Sequence, residues 1–162
     1  MAKVDFFLKI DGIEGESTDS THKGEIELLS FSWGAAHPVA GRPEDGGAAG
    51  KVKVEDFSFT ADTGRASPEL FRGVTTGKSF PTATVTGVLR ELKEPVVLLK
   101  LEFKDVLISS YRINEPAEGD RPVDEAAFDF SQIKYTFTPP QPDGKPGTPV
   151  ESSWDVKQNR PL

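Results

Sequence analysis

The 162-residue chain contains no cysteine and only two histidines. Without cysteine it can form neither a disulfide nor a thiolate metal site, and it can pass between reducing and oxidising compartments without redox chemistry. A metal site would have to combine His22 and His37 with carboxylates. The two lie fifteen positions apart, with none of the spacings that place two imidazoles on one helix face, so no metal is expected. His37, next to Pro38, reads as a solvated loop residue. His22 reads as a turn residue bonding the neighbouring backbone, since Ser, Thr and Asp surround it.

Positive charge is also scarce. Nineteen Lys and Arg stand against 26 Asp and Glu, for a formal net charge of −7. A protein that binds a nucleic-acid backbone needs a basic face, and no cluster supplies one. The acidity favours solubility and opposes random self-association, so any assembly must rest on specific contacts. Long apolar runs are missing: nothing approaches the length of about 18 residues needed to span a bilayer. The N-terminal MAKVDFFLKI has no unbroken apolar core and no cleavage site, so it is not read as a signal peptide, and the chain is expected to start in the cytoplasm.

Catalytic constellations are equally absent from the sequence. No Gly-x-Ser-x-Gly elbow occurs. The run Gly46-Gly47-Ala48-Ala49-Gly50-Lys51 lacks both the spacing of a phosphate loop and the Ser or Thr after its lysine. The acidic stretch 115–129 (Glu115, Glu118, Asp120, Asp124, Glu125 and Asp129 against Arg121) reads as solvated surface. No catalytic residue and no cofactor is assigned.

What the chain does have is turns and aromatics: 15 Gly, 13 Pro, 11 Phe and two Trp. Short strands dominate the pattern. Val4, Phe6, Leu8 and Ile10 alternate with polar residues and predict a strand over 3–10. A second is predicted at 25–33, with Leu29, Phe31 and Trp33 on one face and Leu28, Ser30 and Ser32 on the other. A third, 51–60, changes apolar phase at Glu55-Asp56, which reads as a β-bulge. Residues 82–90 set Thr82, Thr84 and Thr86 against Ala83, Val85, Gly87 and Leu89. Residues 96–108 place Val97, Leu99, Leu101 and Phe103 on one face, and 125–137 slip phase at Ser131-Gln132. A last strand holds Trp154 and Val156. One helix is expected, capped by Ser67, opened by Pro68 and Glu69, apolar at Leu70, Phe71 and Val74, and stopped by Gly77. The pattern indicates a single domain over 1–162, mainly β: a barrel or a sandwich with one short helix.

Two segments lack periodicity. In residues 34–50, Gly, Ala and Pro fill twelve of seventeen positions, so no strand or core element is expected there. Loops of this length in compact domains are usually functional or disordered. Residues 139–149 carry five prolines and read as a stiff, exposed connection.

Five short motifs, in order along the chain, carry a resemblance. They are Gly15-Glu16-Ser17 through Ser32-Trp33-Gly34, Lys51-Val52 with Asp56-Phe57-Ser58-Phe59-Thr60, Ser67-Pro68-Glu69-Leu70 with Gly77-Lys78, Phe130-Ser131-Gln132-Ile133, and Trp154 to Asn159. Together they resemble the Hcp family, the haemolysin-coregulated proteins of bacterial type VI secretion. The resemblance implies a closed antiparallel β-barrel of two sheets with one short flanking α-helix. It implies a structural subunit, not an enzyme, forming hexameric rings (about six subunits closing a cycle) that stack into a tube. Spike and sheath proteins and secreted effectors carried in the lumen are the implied partners, and export through the secretion machine is the implied destination. By position in the motif, Ser32 matches a family position facing the lumen, and Ser30, Thr82, Thr84 and Thr86 are further candidates. The ring-stacking loop maps to Gly41, Arg42, Pro43, Glu44, Asp45, Gly46 and Gly47, and differs from the family pattern in its proline and charged residues. The alternative reading, from a different class, is a monomeric β-barrel that binds a small ligand. A hydrolase is a third.

Overall fold

A computed structural model describes residues 3–38, 51–90 and 94–162. Twelve strands and one helix follow in the order β1 (Val4–Ile10), β2 (Ile26–Glu27), β3 (Ser30–Ser32), β4 (Ala35–Ala36), β5 (Lys53–Val54), β6 (Phe57–Asp62), α1 (Ser67–Thr76), β7 (Ser79–Leu89), β8 (Val96–Asn114), β9 (Val123–Asp129), β10 (Gln132–Phe137), β11 (Val150–Asp155) and β12 (Arg160–Pro161). Ten strands form one antiparallel sheet, and β4 with β5 makes a separate two-stranded ribbon. The fold is mainly β, as expected. Among the described residues the ladders do not themselves complete a closed barrel of two sheets: β2 pairs with β1, β3 pairs with β6, and no ladder there joins β2 to a second strand.

The sheet branches at β8. Its first half runs between β7 and β10, and its second half, from Leu107 on, pairs with β9. Asp105, at φ 53°, stands between the two halves. The strand is therefore longer than the expected 96–108, and its inward set differs too. Leu101, Phe103, Val106 and Ile108 are buried, while Val97 is exposed because the β7 ladder shifts register at Gly87/Val88.

Three further phase changes prove to be handovers between partners. The expected strand 25–33 divides at Leu28-Leu29. The Leu28 amide donates to Phe6 O on β1, and the next amide, Leu29, donates to Thr60 O on β6, each at 2.9 Å. This crossover inverts the expected faces at these two positions only: Leu28 is buried and Leu29 is 58% exposed, while Phe31 and Trp33 pack on the core and Ser30 and Ser32 face out as expected. At Glu55-Asp56 the partner changes from β4 to β3, so the slip there is a break between two strands and not a bulge within one. Residues 125–137 divide at Phe130-Ser131 into β9 and β10: both pair with β8, and the second partner changes from β6 to β11. Ala35–Ala36 also pair with Lys53–Val54, so the first residues of the Gly-Ala segment do form a short strand.

Phenylalanines fill the interior. Phe57, Phe103 and Phe128 are fully buried, with ring centroids 5.0–5.4 Å apart. Each such burial contributes about 1.5–3 kcal/mol. The helix lies where expected, but Ser67 does not cap it. Ala66 is the N-cap, with no side-chain cap bond, and Gly77 ends the helix at φ 65°. Leu70 and Gly73 face the sheet, and Phe71 is 57% exposed.

Candidate functional site

The outward faces of β3, β6, β9 and the second half of β8 lie side by side. Along strands whose alternate residues Phe31, Phe57, Phe59, Ala126 and Phe128 turn inward, the remaining residues turn out by the period of two. Cross-strand register sets Ser32, Ser58, Ala127 and Ser110 in one row, and Ser30, Thr60, Glu125 and Arg112 in the next. Ser30 Oγ and Thr60 Oγ1 are 2.6 Å apart. The face forms a shallow depression of about 430 Å³ in which Ser30 and Ser32 are both exposed. Its outward residues are five small hydroxyls, Ala127 and one opposed Glu125–Arg112 pair, so the surface can accept and donate hydrogen bonds without presenting net charge.

The other expected surface residues fall elsewhere. Thr82 is exposed and Thr84 half-buried on β7, whose neighbours are β1 and β8, so the structure does not bring them to the Ser30 and Ser32 face. Thr86 requires correction: it is 6% exposed, opposite Phe7 on β1. Gly41, Arg42, Pro43, Glu44, Asp45, Gly46 and Gly47 lie outside the described residues. Ser58, Thr60 and Ser110 were missed as candidates, although the alternation Phe57-Ser58-Phe59-Thr60 was the signal for two of them.

Behind this face a buried acid corrects the reading of 115–129 as solvated surface. Asp124 is 1% exposed. It accepts hydrogen bonds from Ser67 Oγ, from Thr63 Oγ1 at 2.8 Å and from Tyr111 OH at 2.7 Å. These bonds tie the start of α1 to β8 and β9. Burial, with the bond to Asp124 adding to it, pushes the Tyr111 phenol up to about 12.

The Glu16–Thr21 signature is a set of fasteners. Glu16 accepts from the Arg65 amide and from Arg121 Nη2, each at 3.1 Å. Asp19 accepts from Arg90 Nη2 at 2.6 Å and from the Thr21 amide at 3.2 Å. Desolvation pushes the Asp19 carboxyl up, but the bonds from the Thr21 hydroxyl at 3.0 Å, the Thr21 amide and Arg90 together outweigh it and leave it below the ordinary carboxylate value. His22 does join the local backbone, its carbonyl accepting from the Glu25 amide at 3.2 Å. Its Nδ1 meets Glu25 Oε2 at 2.9 Å, and its ring stacks on Phe7. Among the described residues no cluster of three or more His, Asp or Glu could hold a metal ion, and no helix is long and apolar enough to cross a membrane.

Comparison with known proteins covers the whole of this architecture. Residues 7–137 match the family model described as type VI secretion system effector, Hcp. Over 157 residues the chain is 36% identical to Protein hcp1 of Pseudomonas aeruginosa, covering 96% of this chain and 97% of that one. The crystal structure of Hcp1 from Salmonella typhimurium superposes with a TM-score of 0.81 at 31% identity, over all of both chains. A structure described as a type six secretion system protein superposes with a TM-score of 0.90 at 27% identity, covering 99% of this chain and 100% of that one.

Proposed function

Because the chain belongs to the Hcp family of type VI secretion tube proteins, we propose that it is the structural subunit of such a tube. In this reading the chain works as one domain and the bent sheet acts as a closed barrel, with Leu28-Leu29 as its seam. About six copies close a cyclic ring through heterologous contacts, rings stack, and the tube leaves the cell with its spike when the sheath contracts. Effectors ride against the lumen, which the reading assigns to the face of Ser30 and Ser32, joined by Ser58, Thr60 and Ser110. Thr82 and Thr84 lie on another limb of the sheet and are left out of that wall. The loop 41–47 is assigned to contacts between rings. No catalytic residue, cofactor or metal enters the scheme.

The observation that carries it is the outward face of β3, β6, β9 and β8, with hydroxyls at Ser30, Ser32, Ser58, Thr60 and Ser110 and with Ser32 at its edge, on a chain that matches a family relative over 96% of its length. The alternative, a monomeric binder of a small ligand, is disfavoured because Phe57, Phe103 and Phe128 occupy the interior where a barrel would hold its ligand. The test is export. In a bacterium with a working type VI machine, the chain should accumulate in the medium. It should stay in the cells when the sheath cannot contract. Equal release from both strains would overturn the reading.

A further inference from the structure

Phe7 is buried on the wrong side of its strand. On β1, Leu8 and Ile10 belong to the core cluster and Phe6 packs against it. Phe7 points the other way by strand alternation, outside that cluster, yet is only 3% exposed. Its cover is not core. The His22 ring stacks on it with centroids 4.6 Å apart and planes 7° apart, and the Arg90 guanidinium carbon lies 5.7 Å from its ring centroid. Thr86, its cross-strand neighbour, is buried beside it.

The covering residue His22 belongs to the turn 16–24. Backbone bonds pinch the base of this turn: Gly15 N to Gly24 O and Gly24 N to Ser17 O, both at 2.8 Å, and Ser17 N to Glu25 O at 3.0 Å. At its base Glu16 is tied to the Arg65 amide and Arg121 at 3.1 Å, and His22 Nδ1 meets Glu25 Oε2 at 2.9 Å; across the tip of the turn the hold is by charge. Arg90, at the end of β7, donates to Asp19 on the turn at 2.6 Å and to Asp5 on β1 at 2.7 Å. The free energy of opening such a segment is set by its own contacts and not by those of the core.

We infer that residues 16–24 form a strap, latched by Arg90, that opens as a local unit and uncovers an outward aromatic patch at Phe7 while the sheet stays folded. The device lies apart from the Ser30 and Ser32 face, and the inference does not depend on the tube reading.

Amide hydrogen exchange tests it. In Arg90→Gln, the amides of Asp19, Thr21, Gly24 and Glu25 should exchange about tenfold faster, the scale expected for losing charge-assisted hydrogen bonds. Those of Leu101 and Phe103 should be unchanged. Binding of the apolar dye ANS should rise with the opening, and the double variant Arg90→Gln with Phe7→Thr should lose that rise. Should Arg90→Gln fail to fold, Asp19→Asn must accelerate the Gly24 and Glu25 amides, which bond Ser17 O and His22 O, since it weakens the end of the latch on the turn and leaves Arg90 paired with Asp5; Thr21 is not read in that variant, because its amide and hydroxyl bond Asp19 itself. Unchanged exchange in the turn, equal acceleration in turn and core, or faster turn exchange without added dye binding would each overturn the inference.

Discussion

Ser131 donates its hydroxyl to Asp105 Oδ2 at 2.5 Å, where two parts of the chain turn the same corner. Asp105 sits at φ 53° between the halves of β8, and Ser131 lies between β9 and β10. The Ser131 amide also donates to Lys104 O at 2.9 Å, and its carbonyl accepts from the Val156 amide at 2.8 Å. Ser131→Ala should destabilise the fold by about 1 kcal/mol, the net contribution of the lost hydrogen bond, since Asp105 is exposed and Lys104 O keeps the amide of residue 131. Asp105→Asn keeps an acceptor and tolerates the left-handed conformation, so it should be close to neutral. Urea unfolding of the two variants decides this, and equal stability would remove the clasp.

Helix glycines should respond against the usual rule. Replacing glycine with alanine inside a helix normally stabilises it by about 0.5–1 kcal/mol. At Gly73 an added Cβ would lie 2.9 Å from Ile108 Cγ1 and 3.3 Å from Phe80 Cε2. Gly73→Ala should therefore cost about 1–3 kcal/mol through overpacking. A variant with a raised melting temperature would show that α1 does not pack as closely as described.

Tyr111 predicts an alkaline weakness. Its phenol is raised from 10.0 to about 12 in the folded chain, by burial and by the bond to Asp124. Above pH 10 the unfolded chain has released this proton while the folded chain still holds it. The contribution is therefore full below pH 10 and is lost as pH rises through the folded value. Denaturant titrations between pH 9 and 12, compared with Tyr111→Phe, should show a steeper loss for the wild type. Parallel curves would contradict the assignment.

Ser32→Gln adds bulk to the proposed lumen wall without charge. Because an exposed substitution usually alters stability by less than about 0.5 kcal/mol, fold and assembly should persist. Pull-down of an exported effector should fall relative to wild type. Equal retention would remove Ser32 from the wall, and a large drop in melting temperature would mean that its side chain is not on the exposed face.

Where local signals agreed with tertiary contacts, the residues could be read directly. Phe57 and Phe59 alternate with Ser58 and Thr60, and both inward rings are buried. Pro68 and Gly77 bracket the helix. The corners were not legible. Leu28 and Leu29 are equally apolar, and only the positions of Phe6 and Thr60 decide which one turns inward. Asp124 looks like its acidic neighbours until Thr63, Ser67 and Tyr111 converge on it from other elements. The same holds for the candidate site. The alternation exposed Ser30 and Ser32, but the separation of β7 from that face depends on strand order, which periodicity does not carry.

The account rests on assembly, and native mass spectrometry of the purified chain at micromolar concentration tests it most directly. The tube reading predicts a discrete closed ring near six times the 17.6 kDa chain mass. Replacing residues 41–47 with a short Gly-Ser turn should leave that ring intact and abolish stacking. A chain that stays monomeric at every concentration would contradict the tube reading.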